Sequence, residues 1–481
     1  MILRVGVYVR AGLLLGSALG AATAGTTRVE VRLLTPVSTY RSRAGTPIAG
    51  LVATPLCTAS GEALPTGTVV QGTLRRVHKV GLGLVRERAL LAFDFGELRL
   101  PDGRAYPVET RLLDVDNARE SVDRKGTVHG IRVNATIANR IGERIAFAVM
   151  DHPVAMIPLF AFESGVFRFP DPEIQYGSGT ELDMELRFPE SLGAVMGCDA
   201  EPRAASAGLT AGWRQLLAGL PAWSYSQTQP QPMDRVNLVF VGGQVELETA
   251  FAAAGWGGAE NNSVRAGVNA IRAIAERQRF ADAPMRTLLL DGAGPDFSYQ
   301  KTLDTFEKRH HLRIWRWPTE TSDTPVWASA ATRDVAATFA MRPFGFTHQV
   351  QFDIDRERDK VVRDLQFTGC VGSVDYVARP AGSQAPAENR KGVVTDGLVA
   401  VVTLNSCQEP TLAPLPELPM AVPLLVRIVR RVVLTGRNHA LRDNIVWRSA
   451  DAGRLGFVTL RGWIRERRNQ RRALLALAAA K

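Results

Sequence analysis

The sequence has no H-E-x-x-H, no G-x-S-x-G and no Walker loop, which removes the common motifs for zinc hydrolysis, serine nucleophiles and nucleotide phosphates. Cysteine is scarce, four in 481 residues, and no two stand at C-x-x-C spacing, so neither a zinc ribbon nor a thioredoxin-type dithiol is available. None of the eight tryptophans precedes Trp213, so the two halves build their cores from different residues. Beyond the N-terminal segment no stretch reaches the roughly 20 uncharged apolar residues that span a bilayer. With 46% hydrophobic and 22% charged residues the bulk of the chain is neither disordered nor collagen-like. At roughly 100 to 200 residues per domain the length implies two to four domains.

What is present begins with an address. Arg4 and Arg10 flank a short basic start, a run of about 14 small and apolar residues follows from Ala11 to Ala24, and Ala22-Thr23-Ala24 precedes Gly25. This is the layout of a secretory signal over residues 1–24, too short to span and ending at an A-x-A site. The mature protein is therefore expected in the periplasm or outside the cell, soluble or peripheral to a membrane. There Cys57, Cys198, Cys370 and Cys407 are expected to form disulfides. The charge is equally localised. Residues 421–481 hold 13 arginines and one lysine against Asp443, Asp451 and Glu466, a net +11, which leaves the remainder of the +10 chain at −1. A basic tail on a neutral body implies an anionic envelope component or membrane surface met at one end; no nucleic acid is expected.

Three regions follow from patterning. From residue 28 to 190 short alternating runs such as Val69 to Val77 are broken by Pro, Gly and Asp-Gly turns, and Leu98 to Val108 reads as a hairpin around Pro101-Asp102-Gly103. Two Gly-Thr turns, at Gly67-Thr68 and Gly179-Thr180, each lead into an alternating strand, as in a barrel or sandwich with related edges. The phrase LPTGTVVQGTL also resembles the barrel segment of conjugal-transfer envelope proteins. Residues 199–233 read as a linker with a short helix around Trp213 to Leu220. From 234 to 407 strands alternate with helices, including strands at Arg309 to Trp317, Val371 to Ala378 and Leu398 to Leu404 and a helix from Arg356 capped by Asp355. Prolines at 410, 414, 416, 419 and 423 form a stiff connector over 408–423, and 424–481 is a basic amphipathic tail. The expected fold class is α+β multidomain: an all-β barrel- or sandwich-like domain, then a mixed-sheet α/β domain.

The chemically suggestive stretch is RHHLRIWRW, Arg309 to Trp317. As a strand it places Arg309, His311, Arg313, Trp315 and Trp317 on one face and His310, Leu312, Ile314 and Arg316 on the other. His310 ends a core-facing row. The opposite face, with Trp327, His348 and Asp355 from neighbouring segments, suits an anionic or planar ligand; a stacked, solvated edge face is the structural alternative. A His/carboxylate metal site from the histidines and Asp334, Asp353 and Asp355 is unspecific, and neither metal nor cofactor is expected. Gly242-Gly243 reads as a tight turn, since the third glycine of a dinucleotide fingerprint is missing.

The ordered phrases DRVNLVFVGG, AFAAAGW, KRHHLRIWRW, PVWASAATRD and FTHQVQFDIDRERDKVVRDL resemble the LssY C-terminal domain family over about residues 234 to 380. The resemblance implies a bacterial envelope protein with a domain of unestablished activity, so no catalytic residue is carried over. Two functions remain: binding an anionic envelope component, or hydrolysis of a phosphorylated or lipid-linked substrate with His311 or His348 as acid/base and Arg313 as anion clamp. A Cys370–Cys407 bridge in an unbroken antiparallel register would set Val374 opposite Thr403 and Tyr376 opposite Val401; two free buried thiols are the alternative.

Overall fold

The computed structural model describes residues 26–58, 63–82, 86–132, 172–188, 195–197, 207–226, 232–258, 285, 287–301, 308–319, 324–341, 344–379, 393–407, 409–414 and 422–438, with scattered residues from 440 to 468. The expected signal segment lies outside them.

The N-terminal domain is a nine-stranded antiparallel sheet. Its order runs Glu109–Val115, Glu181–Arg187, Thr26–Leu33, Pro47–Val52, Val69–His78, Leu90–Arg99, Thr127–His129 and Ser121–Val122, with Ala105–Pro107 added on Leu90–Arg99. The Glu109–Val115 strand lies against Leu90–Arg99 and Ser121–Val122, so the sheet curls into a nearly closed barrel. Alternation makes this possible. Val29, Val31 and Leu33 of the first strand and Leu182, Met184 and Leu186 of its neighbour point into one apolar core, while Glu30, Arg32 and Glu181 point outward. Gly67 and Gly179, the expected turn glycines, have φ of 88° and 80°, the left-handed region that only glycine enters without strain. The hairpin expected at Leu98 to Val108 is present, with Leu98 opposite Tyr106.

The second domain is a mixed sheet of eight strands. Its order is Trp256–Gly258, Phe297–Lys301, Arg309–Trp317, Val326–Met341, Leu238–Val241, Leu398–Leu404 and Val371–Ala378, with Phe344–Val350 pairing the long Val326–Met341 strand. Leu238–Val241 and Leu398–Leu404 run parallel, and the other pairs of this sheet are antiparallel. Both faces are covered. Leu312, Ile314, Phe240 and Val402 pack against α2 (Gln244–Ala253) and α3 (Asp355–Phe367). Trp315, Ala328, Val239 and Val401 pack against Leu217 and Leu220 at the end of α1 (Ala207–Gly219).

Several expectations change in detail. The segment read as a linker folds more fully than expected: the short helix expected around Trp213 to Leu220 is α1, Ala207–Gly219, and Trp223–Ser226 pairs with Pro232–Arg235 and with Leu288–Leu289 to form a three-stranded sheet. Its polar and proline-rich composition hid buried Leu217, Leu220 and Trp223. Asp355 is the first residue of α3 rather than its cap; Ile354 holds the cap position. The Cys370–Cys407 bridge is present, with sulfurs 2.00 Å apart, and Cys57 is disulfide-bonded as well. The unbroken register is not. Val374 lies opposite Val402 and Tyr376 opposite Ala400, one residue off the expected pairing. Cys407 lies past the strand end, where the Asn405 amide already donates to the Cys370 carbonyl, a two-residue offset of which the β-bulge between Val371 and Ser373 recovers one.

The basic segment splits into two roles. The connector is tied to the α/β domain, the Thr411 and Ala413 amides donating to the carbonyls of Thr368 and Ala253 at 3.1 and 2.8 Å. Helix α4 (Leu424–Asn438) then crosses to the barrel, where Leu434 joins the barrel core and Arg430 pairs with the buried Glu173.

Candidate functional site

The barrel and the α/β domain meet through buried charge. Along α3, Glu357, Lys360 and Asp364 stand at i, i+3 and i+7 beside the core-facing Val361, Val362 and Leu365. On a free helix such a charged stripe would face water. Here it faces the outward side of the barrel strands, where Glu30, Arg32 and Glu181 alternate with core residues. Lys360 Nζ lies 2.9 Å from Glu30 Oε2 and 2.7 Å from Glu181 Oε2. Arg32 Nη2 donates to Asp364 Oδ1 at 3.1 Å, and its guanidinium stacks over the Phe367 ring at 4.7 Å. Phe367 in turn packs against Leu51 and Ala53 of the barrel. Lys301 Nζ lies 2.8 Å from both Glu181 Oε1 and Asp364 Oδ2, and the Trp256 indole donates to Asp364 Oδ2 at 2.9 Å.

His310 extends this network. Its Nδ1 lies 2.6 Å from Glu357 Oε2 on α3 and its Nε2 2.7 Å from Asp116 Oδ2 of the barrel domain. Arg333 Nη2 donates to the other Asp116 oxygen at 2.8 Å. Burial alone would favour the neutral imidazole, but the two carboxylates overcome it and hold the His310 pKa up to about 10. Asp116 is held below the usual carboxylate range, burial being outweighed by His310, Lys360 and Arg333. The Lys360 ammonium is likewise held well above its ordinary value by Asp364, Glu181 and Glu30 against the effect of burial. Glu30 is the exception: burial and the neighbouring Glu181 raise it. With His310 protonated, Glu30, Asp116, Glu181, Glu357 and Asp364 are matched one for one by Arg32, Lys301, His310, Arg333 and Lys360.

Two chemical consequences follow. A doubly hydrogen-bonded, protonated His310 has no free lone pair and cannot serve as a general base at neutral pH. Glu30, Glu181 and Asp364 bring ligand oxygens within 4.8 Å of one another, as a hard cation would require. Lys301, Lys360 and Arg32 already supply the compensating charge there, so the residues fit an ion-paired interface better than a metal centre.

The strand expected to bind a ligand is buried on both faces. Arg309 Nε donates to Asp334 Oδ2 at 3.0 Å, directly across the strand pair. His311 Nε2 lies 2.9 Å from Thr332 Oγ1, also its cross-strand neighbour, and Nδ1 lies 3.7 Å from Asp334. Arg313, 5% exposed, donates to Asp234 Oδ2 at 2.6 Å. Trp315 sits in the core beside α1. Trp327 lies in the core on the opposite face and donates to the Gly242 carbonyl at 2.9 Å. Asp355 accepts from the Asp396 amide and the Thr395 hydroxyl at 2.5 and 2.9 Å, and burial raises its pKa. The backbone of His348 pairs with Ala337; its side chain lies outside the described residues. His311 is thus joined to Thr332 and Asp334, Arg313 to Asp234, and Asp355 to the 395–396 turn, with no contact among the described residues bringing these three groups together.

The residues that sequence reasoning passed over are His310, Glu357, Lys360 and Asp364 and their barrel partners. One signal was available: the charged stripe runs immediately beside the apolar stripe of α3, and a helix packed on a sheet leaves such a flank half covered. Nothing in the pattern of the barrel strands said which protein surface their outward acids would meet.

Fold and interface together define a two-domain α+β protein in which a barrel is ion-paired to a mixed-sheet domain. That second domain is an LssY C-terminal domain: the family model described as LssY C-terminus matches residues 220–399. The match begins upstream of the expected boundary and takes in the small sheet formed by Trp223–Ser226 and Pro232–Arg235. No curated protein matches the chain.

Proposed function

We propose that this is an exported cell-envelope protein whose C-terminal segment holds it on an anionic membrane surface, with the barrel and the LssY C-terminal domain forming one body behind that contact. The observation that carries the reading is the division of α4. One side docks: Leu434 is buried in the barrel core, Arg430 pairs with Glu173, and Arg437 donates to the Gly81 carbonyl. The other side presents Leu425, Val429, Val432 and Val433 to solvent, Leu425 at 78% and Val429 at 63% exposure. An exposed aliphatic row at i, i+4, i+7 and i+8 has no reason to persist on a surface that meets only water.

Further along, the helical residues Phe457, Leu460 and Ile464 repeat the pattern at i, i+3 and i+7, and all three are exposed. Thirteen arginines in the segment supply the attraction to anionic lipid that such rows need, since apolar contact and charge act together at the interface. Among the described residues no helix is long and apolar enough to cross a membrane, in keeping with a segment that lies along the surface. The N-terminal 24 residues would direct export. Hydrolysis of a phosphorylated substrate gains no support from His311, which is buried against Thr332 and Asp334, or from Arg313, which is paired with Asp234.

Co-sedimentation of the full chain with vesicles tests the reading. Binding is expected to phosphatidylglycerol vesicles and not to phosphatidylcholine vesicles, to weaken between 50 and 300 mM salt, and to drop at least tenfold in Val429→Asp. Equal binding to both lipids, or an unaffected Val429→Asp, refutes it.

A further inference from the structure

At one end of the barrel the strands Val69–His78, Leu90–Arg99 and Thr127–His129 lie side by side. Leu90 is paired in register with His78 on one side and with His129 on the other, so the two imidazoles flank Leu90 on the same face of the sheet. An open cavity of about 590 Å³ lies there, lined by these residues and by Arg86, Glu87, Arg88 and Arg132.

Its electrostatics are one-sided. Glu87 holds Arg132 through an ion pair of 3.1 Å, and Asp123 holds His129 at 2.9 Å. Among the described residues the Arg86 and Arg88 guanidiniums and the His78 imidazole have no hydrogen-bond or ion-pair partner. Three arginines against Glu87 leave the cavity with a net positive charge before either imidazole is protonated. Arg86 adds a second signal. Its backbone lies in the left-handed region with φ of 62°, a conformation that asparagine and aspartate tolerate and that costs an arginine of order 1 kcal/mol. Such strain collects where side-chain placement matters more than stability.

We propose that this cavity is a binding site for a phosphate group, with Arg86 and Arg88 as the primary contacts and His78 and His129 as flanking donors. Guanidinium matches phosphate with parallel two-pronged hydrogen bonds, and imidazole adds donors to the remaining oxygens. The same chemistry would accept a soluble phosphate or the headgroup of a phospholipid. The cavity adjoins the docked side of α4: Arg437 donates to Gly81, and the charge of Glu87 acts on Arg437. A lipid headgroup held there would lie beside the exposed row of α4. The site itself does not depend on the membrane reading of that helix.

Isothermal titration of the full chain with inorganic phosphate, in chloride buffer of constant ionic strength, is expected to give one saturable site. Arg88→Gln and Arg86→Gln should each weaken it at least tenfold, with melting temperature unchanged because both side chains are exposed. Val429→Asp should bind phosphate as wild type does, which separates this site from the membrane contact. Vesicles of phosphatidylcholine carrying phosphatidate identify the source: competition between them and inorganic phosphate supports a headgroup ligand, and phosphate binding without competition supports a soluble one. No saturable phosphate binding by the wild type overturns the proposal. So does binding that changes less than twofold in both arginine variants.

Discussion

His310 offers the sharpest perturbation of the domain junction. Its imidazole, 1% exposed, is held up to about 10 from an ordinary 6.5. Because the folded protein binds this proton more tightly than the unfolded chain, the stabilisation is complete below about pH 6.5 and disappears as pH rises through about 10. In that window stability should fall by about 1.4 kcal/mol per pH unit, a total of up to about 5 kcal/mol. Lys360, held above the ordinary lysine value, loses its proton only beyond this range and does not blur it. In His310→Gln the proton is gone and Asp116 and Glu357 are left buried with one cation fewer, so a loss of about 3 to 5 kcal/mol is expected at pH 6. The gap to wild type should close towards pH 10. Urea unfolding followed by tryptophan fluorescence at pH 6, 8, 9 and 10 measures both curves, and subtracting them removes the other titrating groups. A constant difference between the two proteins from pH 6 to 10 would show that His310 does not carry this charge.

Two further outcomes are expected. Arg313→Lys should lower stability by about 1 to 3 kcal/mol, because lysine cannot reproduce the buried guanidinium contact with Asp234; unchanged stability together with a lost anion-induced thermal shift would restore a ligand role for that strand. Non-reducing peptide mapping should recover a Cys370–Cys407 linked peptide, and reduction should destabilise the α/β domain by roughly 4 kcal/mol for a separation of 37 residues. Two thiols alkylated after denaturation without reductant would contradict it.

The barrel was legible because alternation in segments such as TRVEVRLL and ELDMELRF is strict and the Gly-Thr turns need positive φ. The Arg309–Trp317, Val371–Ala378 and Leu398–Leu404 strands were legible for the same kind of reason, being apolar or alternating runs with clear ends. Burial was harder to read. RHHLRIWRW carries three arginines and two histidines, and sequence alone gave no sign that Asp234, Thr332 and Asp334 would cover one face. The interdomain network depends on Asp116 and Glu181 reaching His310 and Lys360 across 194 and 179 residues of chain, a distance over which local pattern carries no information. The cysteine spacing misplaced the register because Cys407 lies two residues beyond Asn405, the residue whose amide bonds the Cys370 carbonyl, and the bulge before Ser373 recovers only one of the two.

The central claim, that the exposed row of α4 enters an anionic membrane surface, is tested most directly by a depth measurement. Among the described residues no cysteine is free, so an environment-sensitive fluorophore can be attached at Val429→Cys and, as a control, at Val394→Cys on the α/β domain, an equally exposed site at 62%. On adding phosphatidylglycerol vesicles the label at position 429 should shift to the blue and become protected from a water-soluble quencher, while the label at 394 stays unchanged. No shift at 429, or the same shift at both positions, would contradict the account.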